Sequence, residues 1–546
     1  MKKLATLLLA AGMVLGSFAG AQAIDWKVRG AWSIEFGVYD GLHFTKDTVN
    51  SQRGPKKLNQ AGAGDGGDTF KSGQRIDLWL DAVASENLSG SLRLEIGGWT
   101  WGQYTGTSGA RSAGGAMGQR AVSIGVREAY IDWFVPSTEL KFRMGLHTIT
   151  NPSFTGTSTV IAENMTGVTA SYKFNDNVSL AAFWGRPYND NFNFGSNNAN
   201  SGYMDNIDIF GLVLPLSFDG VKVTPWGAVA GVGPNSLAAP TNANAGALGA
   251  AVYGSDRMPL MMAGMTPAYA GAGNPRFPNS YGTAWWLGLT GDITALDPFR
   301  FAWDFNYGGM SWDSSKGSSF MNRQGWLINL LAEYKFDWGV PGLIFWYGSG
   351  DDSNPKNGSE QMPVFEIWNP DSAISNFGFN GSPVGALNEG ILGTNFQTGT
   401  WGLGLRIRDM SFIEDLKHTL RVNFFGGTND PQMAKYILGK KQLNGVAAWN
   451  VQKDFNRVGA PNVGGAVTPN TGNGLYLTRQ DYGVEVNIDT IYKIYDNLSM
   501  IVELGYIHLW LDQSKAVWGP KAGSNATRGL NLTDAMKASV YFRYQF

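Results

Sequence analysis

The sequence predicts an all-β protein: a transmembrane antiparallel up-and-down β-barrel of about 18 strands, with short turns at one end and long connections at the other. Three observations predict it. The chain opens with an export signal, its segments alternate apolar and polar residues with period two, and its connections alternate long and short.

Met1, Lys2 and Lys3 precede an apolar run from Leu4 to Leu15, and Ala21-Gln22-Ala23 follows it. That order reads as a secretory signal peptide over 1–23, with a run too short to serve as an anchor. The mature chain, 24–546, is then a single barrel domain. Without Lys2 and Lys3 the 42 basic residues become 40, against 44 acidic ones. This near-neutral balance gives no basic stripe for nucleic acid. Cysteine is absent, which excludes disulfides, thiol nucleophiles and thiolate metal sites. No later apolar run is long enough for a transmembrane helix. The 73 Gly, 20 Trp, 20 Tyr and 30 Phe suit many strands, polar loops and interfacial rings.

The strands follow in order. From about Trp26 to Tyr39, Trp26, Val28, Trp32, Ile34, Phe36 and Val38 alternate with Lys27, Arg29, Ser33 and Glu35. Next, Ile76, Leu78 and Leu80 alternate with Arg75, Asp77 and Asp81, and Leu92, Leu94 and Ile96 with Arg93 and Glu95. Phe299 to Tyr307, Trp326 to Phe336 and Tyr482 to Tyr492 repeat the pattern, and Met536 to Phe546 shows it most cleanly. Arg127 breaks it, falling on the apolar face with Ala129, Ile131 and Trp133; a bulge or a rim position would accommodate it.

Short turns are expected near 86–88, 136–137, 175–177, 218–220, 297–298, 337–339, 409–414 and 496–497. Long connections are expected at 40–73, 103–119, 150–165, 187–203, 233–281, 310–322, 351–395, 428–477 and 512–532. Both termini then lie at the short-turn end, so the strand number is even. The count is 18, or 16 if the weak segments near 205–216 and 221–232 belong to connections.

An outward apolar face leaves the polar face inside. The expected pore-lining residues are Lys27, Arg29, Glu35, Arg75, Asp77, Asp81, Arg93, Glu95, Lys141, Arg143, Glu163, Arg406, Arg408, Arg421, Glu485, Asp489 and Glu503. Asp304, Glu333 and Arg543 share their pattern. So wide a barrel cannot be filled with side chains, and water is expected to solvate these charges. The connection 148–164 is rich in hydroxyl and apolar residues, with Glu163 its one acid. It is expected to fold inward as a constriction facing Lys141 and Arg143. Trp79, Trp99 and Trp101 are candidate inward aromatics, the last two near the rim.

Other signals carry little chemistry. Gly62 to Gly67 matches G-x-G-x-x-G but lies in a connection, without the strand-to-helix context of a nucleotide site. Asp351-Asp352-Ser353-Asn354 lacks EF-hand spacing. Met258, Met261, Met262 and Met265 suit packing of a short loop helix. His43, His147, His418 and His508 are scattered. No cofactor, metal site or catalytic residue is expected; an enzyme would need a partner for His147 or His418.

IDWKVRGAWSIEFGV at the start, VREAYIDWFVP followed by ELKFRMGL, and the closing SVYFRYQF resemble the homotrimeric outer-membrane porins of sulfate-reducing, Desulfovibrio-type bacteria. The resemblance spans the chain and implies a trimer of barrels in the outer membrane, each passing small hydrophilic solutes and ions by passive diffusion. The closing Phe542, Tyr544 and Phe546 are similar to the signal read by the barrel assembly machinery. Outer-membrane lipids and lipopolysaccharide are the expected surroundings. The alternatives are a substrate-specific channel, which an inner aromatic track would support, and a barrel enzyme.

Overall fold

The structure is a computed structural model, and it describes residues 24–40, 69–102, 115–116, 124–156, 158, 160–189, 206–233, 281–313, 322–354, 357–364, 397–433, 477–510, 512 and 534–546. The signal peptide, the 62–67 glycine run, His43 and the methionines at 258–265 lie outside the described residues.

Among the described residues the chain folds as one closed antiparallel sheet. Its strands are β1 (Asp25–Asp40), β2 (Thr69–Ser85), β3 (Leu88–Thr100), β4 (Ile124–Phe134), β5 (Leu140–Thr150), β6 (Ala162–Lys173) and β7 (Ser179–Asn189). β8 has two segments, Asn206–Val213 and Leu216–Phe218, both paired with β9 (Val221–Val232). Pro215, which has no N–H to offer a ladder, marks the break. Then come β10 (Gly282–Ile293), β11 (Phe299–Trp312), β12 (Arg323–Tyr334), β13 (Val340–Gly348), β14 (Thr400–Ile413) and β15 (Leu416–Gly427). β16 (Tyr482–Tyr495), β17 (Leu498–Trp510) and β18 (Ala535–Gln545) complete the set. Nineteen segments, two of them halves of one strand, make 18 strands. The weak segments near 205–216 and 221–232 are both strands of the wall.

Each strand pairs with its sequence neighbours. β1 closes the circle on β18, from Ala31 opposite Gln545 to Asp40 opposite Met536. Closure leaves no strand edge exposed. Period two then assigns the faces. Trp26, Val28, Trp32 and Val38 are exposed outside, whereas Ala31 and Glu35 are buried inside. Arg127 is explained by a bulge: pairing steps from Arg93–Glu128 to Leu94–Val126, so Arg127 is the extra residue that the register skips. Its guanidinium pairs with Glu95 at 3.3 Å.

The outer surface carries two aromatic belts. At the short-turn end rings run from Phe299 to Tyr334 (4.8 Å), Phe336 (4.4 Å), Trp338 (5.6 Å) and Phe412 (6.4 Å). At the other end Tyr307 meets Trp285 and Trp326, and Phe424 meets Trp401 and Tyr482. Leu287, Leu289, Leu330, Leu343, Leu403 and Leu405 are exposed between them. Trp326 and Tyr334 are eight residues apart on β12, about 26 Å at ~3.3 Å per residue. Strand tilt reduces that to about 20 Å of height, close to the apolar band of a membrane barrel.

Candidate lumen site

The inner wall divides into three sectors. The first, on β1–β5, is charged and partly open to solvent. Arg29 pairs with Asp81 (3.5 Å), Arg75 and Arg93 with Asp77 (both 3.0 Å), and Arg93 also with Glu128 (3.1 Å). Arg143 lies opposite Asp132 in register and grips it with two bonds, 2.7 and 2.8 Å; Lys141 joins at 2.9 Å. Rings are interleaved with these cations. Trp79 lies between the guanidiniums of Arg29 (4.9 Å) and Arg93 (4.8 Å), Arg143 lies over Tyr130 (4.1 Å), and Lys141 lies near Phe134 (5.1 Å). Partly solvated cation–π contacts of this kind hold a guanidinium in place by about 0.5–1 kcal/mol.

The second sector, on β5–β12, is dry. Phe183, Ile207, Ile209, Trp226, Trp286 and Leu327 belong to one buried apolar cluster on the inner face. Trp226 packs where a side chain on Gly288 would stand, and Trp286 does the same at Gly308. Large rings over cross-strand glycines fill space that side chains there would otherwise take. Two connections cover this sector. Val160 and Ile161 of the β5–β6 connection are fully buried in the cluster, as are Met362 and Val364 of the β13–β14 connection. Trp286 Nε1 donates to the Pro363 carbonyl at 2.6 Å.

The β5–β6 connection is pinned to the far wall by one carboxylate. Asp304, an inward residue of β11, accepts from Ser153 Oγ (2.6 Å), Phe154 N (3.2 Å) and the hydroxyls of Thr155 and Thr290. Arg300 Nη2 donates to the Phe154 carbonyl at 3.0 Å. Arg300 is the second residue of β11 after a short turn, so the connection reaches deep into the barrel. Beside it, Glu333 accepts from Arg300 (3.1 Å), Arg406 (2.8 Å) and Arg408 (2.8 Å), and Arg300 also pairs with Asp292 (2.8 Å).

The third sector, on β15–β18 and β1, is polar and buried. Arg421 pairs with Asp489, and Lys537 Nζ and the Tyr541 hydroxyl donate to Glu503 at 2.9 and 3.1 Å. Asn487 donates to Glu485 at 2.6 Å. Glu35, Glu485 and Glu503 are fully buried, with Arg421 and Asp489 nearly so, as is Arg406 of neighbouring β14. This corrects the expectation that water solvates the inward charges evenly. Here Arg421 is paired with Asp489 and Lys537 with Glu503, the pairing that burial of ions requires.

All 17 expected lining residues except Glu163 come from the polar face of a strand recognised by its alternation. Lys27, Arg29, Arg75, Asp81, Arg93, Glu95, Lys141, Arg143 and Arg408 retain solvent access, and Asp77 is buried between its two arginines. Glu163 belongs to β6, opposite Ile149, and not to the connection. The connection does fold inward, but onto Asp304 and Arg300 instead of Lys141 and Arg143. The reason is donor–acceptor balance. Asp132 already satisfies both cations, while the connection presents hydroxyls and an N–H that need an acceptor. Trp101 lies at the outer rim against Phe36 (5.4 Å); the Trp99 side chain is outside the described residues.

The dry sector and the inward path of 357–364 escaped the sequence reading. Their signals were β9, apolar on both faces, and Met362-Pro363-Val364 within a polar connection. Asp351 is buried and accepts from Ser359 and Gln361, so its carboxylate serves loop packing. Among the described residues no cluster of three metal-ligating side chains occurs. His147 uses its ring nitrogens on the Gly145 carbonyl (3.0 Å) and Thr169 (2.9 Å), and His418 binds Thr490 (2.9 Å). An unforeseen pair, His508 with Asp534 at 2.5 Å, ties β17 to the residue before β18.

No protein-family model matches this chain, and no curated protein matches it. Solved structures do. OccK9 (OpdG) of Pseudomonas aeruginosa matches with a TM-score of 0.46 and 10% identity, over 96% of this chain and 98% of that one. OprD of the same organism gives 0.45 and 10%, over 97% of each chain. A loop-deletion form of OmpT, an outer membrane protein of Vibrio cholerae, gives 0.36 and 9%, over 96% of this chain and 100% of that one.

Proposed function

We propose that this chain is a bacterial outer-membrane porin, a water-filled channel through which small hydrophilic solutes and ions diffuse passively. The observation that carries the reading is the β5–β6 connection inside a closed barrel, pinned to Asp304 across from a charged, solvent-accessible wall on β1–β5. An inward connection narrows the passage, and a charged wall keeps it wet and biases which ions enter. The two aromatic belts support a membrane setting, with the short turns in the periplasm and the long connections outside. Residues 1–23 would be removed on export, and Phe542, Tyr544 and Phe546 would be read by the assembly machinery. The resemblance to Desulfovibrio-type porins supports a homotrimer.

A second reading, a channel selective for certain solutes, is favoured by Trp79 between Arg29 and Arg93 and by Tyr130 beneath Arg143. Such a strip would slow planar or anionic solutes relative to others.

Single-channel recording of the mature protein in planar bilayers, under a salt gradient, tests both. Stable ohmic openings in steps of three are expected of a trimeric porin. Folded, heat-modifiable protein with no conductance would sink the porin reading. Concentration-dependent block by one solute class, lost in Trp79→Ala, would favour the selective channel.

A further inference from the structure

At the long-connection end of β10–β12 lies a cavity of about 530 Å³, within the size range of small-molecule sites. It adjoins the upper aromatic belt on the outer face, away from the charged wall on β1–β5. Its apolar side is a run of rings: Tyr307 stacks on Trp326 at 4.1 Å and meets Trp285 edge-on at 5.3 Å. Its polar side carries the amides of Asn322, Gln324 and Asn357. Two charged residues of opposite sign line it, and both are engaged by residues 352–361 of the neighbouring connection. Arg323 is buried, and its Nε donates to the Gln361 carbonyl at 3.1 Å. Glu360 accepts from Asp352 N (2.8 Å) and Asn357 Nδ2 (3.0 Å), and burial, reinforced by Asp352 and Asp351, raises its pKa.

Flat rings beside amides are the chemistry that recognises an uncharged sugar. The C–H face of a pyranose stacks on indole, and its hydroxyls exchange hydrogen bonds with side-chain amides. The position decides the source of that sugar. Leu287, Leu289 and Leu330 are exposed along the outer face below the rings, so an acyl chain attached to the sugar has an apolar track to follow.

We propose that this cavity binds the uncharged sugar headgroup of a membrane glycolipid. The proposal rests on the reading that the outer face lies in lipid. The test uses the full mature protein in nanodiscs of phosphatidylethanolamine and phosphatidylglycerol doped with glucosyl diacylglycerol. Native mass spectrometry counts the lipid retained per chain, and methyl glucoside is titrated separately. One glucosyl lipid per chain is expected, with retention about tenfold weaker in Trp326→Ala and in Gln324→Ala, a loss of about 1.4 kcal/mol. Equal retention of phosphatidylglycerol, unchanged retention in both variants, or equally tight binding of free methyl glucoside would each overturn the proposal. Conductance and heat-modifiability are recorded on the same samples. If they persist while retention fails, the glycolipid site is wrong and the channel reading stands; if they are absent from the native protein, the channel reading itself has failed.

Discussion

The ring of Phe546 occupies the space that a side chain on Gly30 would take. The same two residues exchange backbone hydrogen bonds, Gly30 N to the Phe546 carbonyl at 2.7 Å and Phe546 N to the Gly30 carbonyl at 3.0 Å. Their contact fastens the seam between β1 and β18, where the first and last strands must meet. A Cβ at position 30 would overlap the ring, and overpacking of this kind costs about 1–3 kcal/mol. Gly30→Val is therefore expected to lower the temperature at which the folded band converts on gels, and Phe546→Ala to lower it as well. An unshifted conversion temperature in Gly30→Val would show that the seam tolerates the clash.

Asp304 is the anchor of the β5–β6 connection. Four donors converge on its carboxylate, three of them from the connection. Asp304→Ala leaves buried donors without an acceptor, at about 1–3 kcal/mol for each. The connection should then leave the wall on which it is packed. The expected result is a noisier channel with altered conductance, in protein that still migrates as a folded barrel. Quiet openings of native size would mean that Val160 and Ile161 hold the connection without help.

Glu333 of β12 holds together three arginines of two strands, Arg300 of β11 and Arg406 and Arg408 of β14. Removing its charge leaves Arg406 buried beside two like charges, and breaking a buried pair costs about 3–5 kcal/mol. Glu333→Gln should lower thermal stability by that order and add one net positive charge to the inner wall. The reversal potential under a salt gradient should then move toward anions. If stability falls with no change in reversal potential, the knot is structural and lies off the ion path.

The alternation of Met536 to Phe546 and of Trp326 to Tyr334 was enough to place those strands, because one face of each is continuously apolar and the other is interrupted by polar groups, Lys537, Ser539 and Arg543 in one and Asn329 and Glu333 in the other. The same rule made β8 and β9 weak. Ile207, Ile209, Trp226 and Ala230 are buried inside under the inward connections, so both faces of these strands are apolar and the period fades. Which residues of a recognised strand face inward could be read from strand parity alone. Their partners could not, since Asp304 meets Ser153 across 151 positions of sequence. Arg127 shows the limit at a single residue: a bulge shifts parity locally, and its cause lies in the neighbouring strand.

The β13–β14 connection should respond to pH through Glu360. Burial, with Asp352 and Asp351 nearby, places its pKa above the ordinary glutamate value, so the folded state favours the protonated form. A group raised in this way contributes stability that is fully present below the unfolded-state pKa and is lost as pH rises through the folded-state value. The local stability of residues 349–364 should therefore fall as pH rises from the ordinary glutamate range through that raised value. Glu360→Gln removes the titration and keeps a side-chain oxygen to accept one of the two hydrogen bonds from Asp352 N and Asn357. Hydrogen exchange followed by mass spectrometry reads the segment directly. After correction for the intrinsic pH dependence of exchange, protection in the native chain should decline across that window, and protection in Glu360→Gln should stay level and exceed the native value at neutral pH. Parallel curves for the two proteins would show that Glu360 titrates alike in the folded and unfolded chains, with Asn357 and Asp352 N compensating its burial.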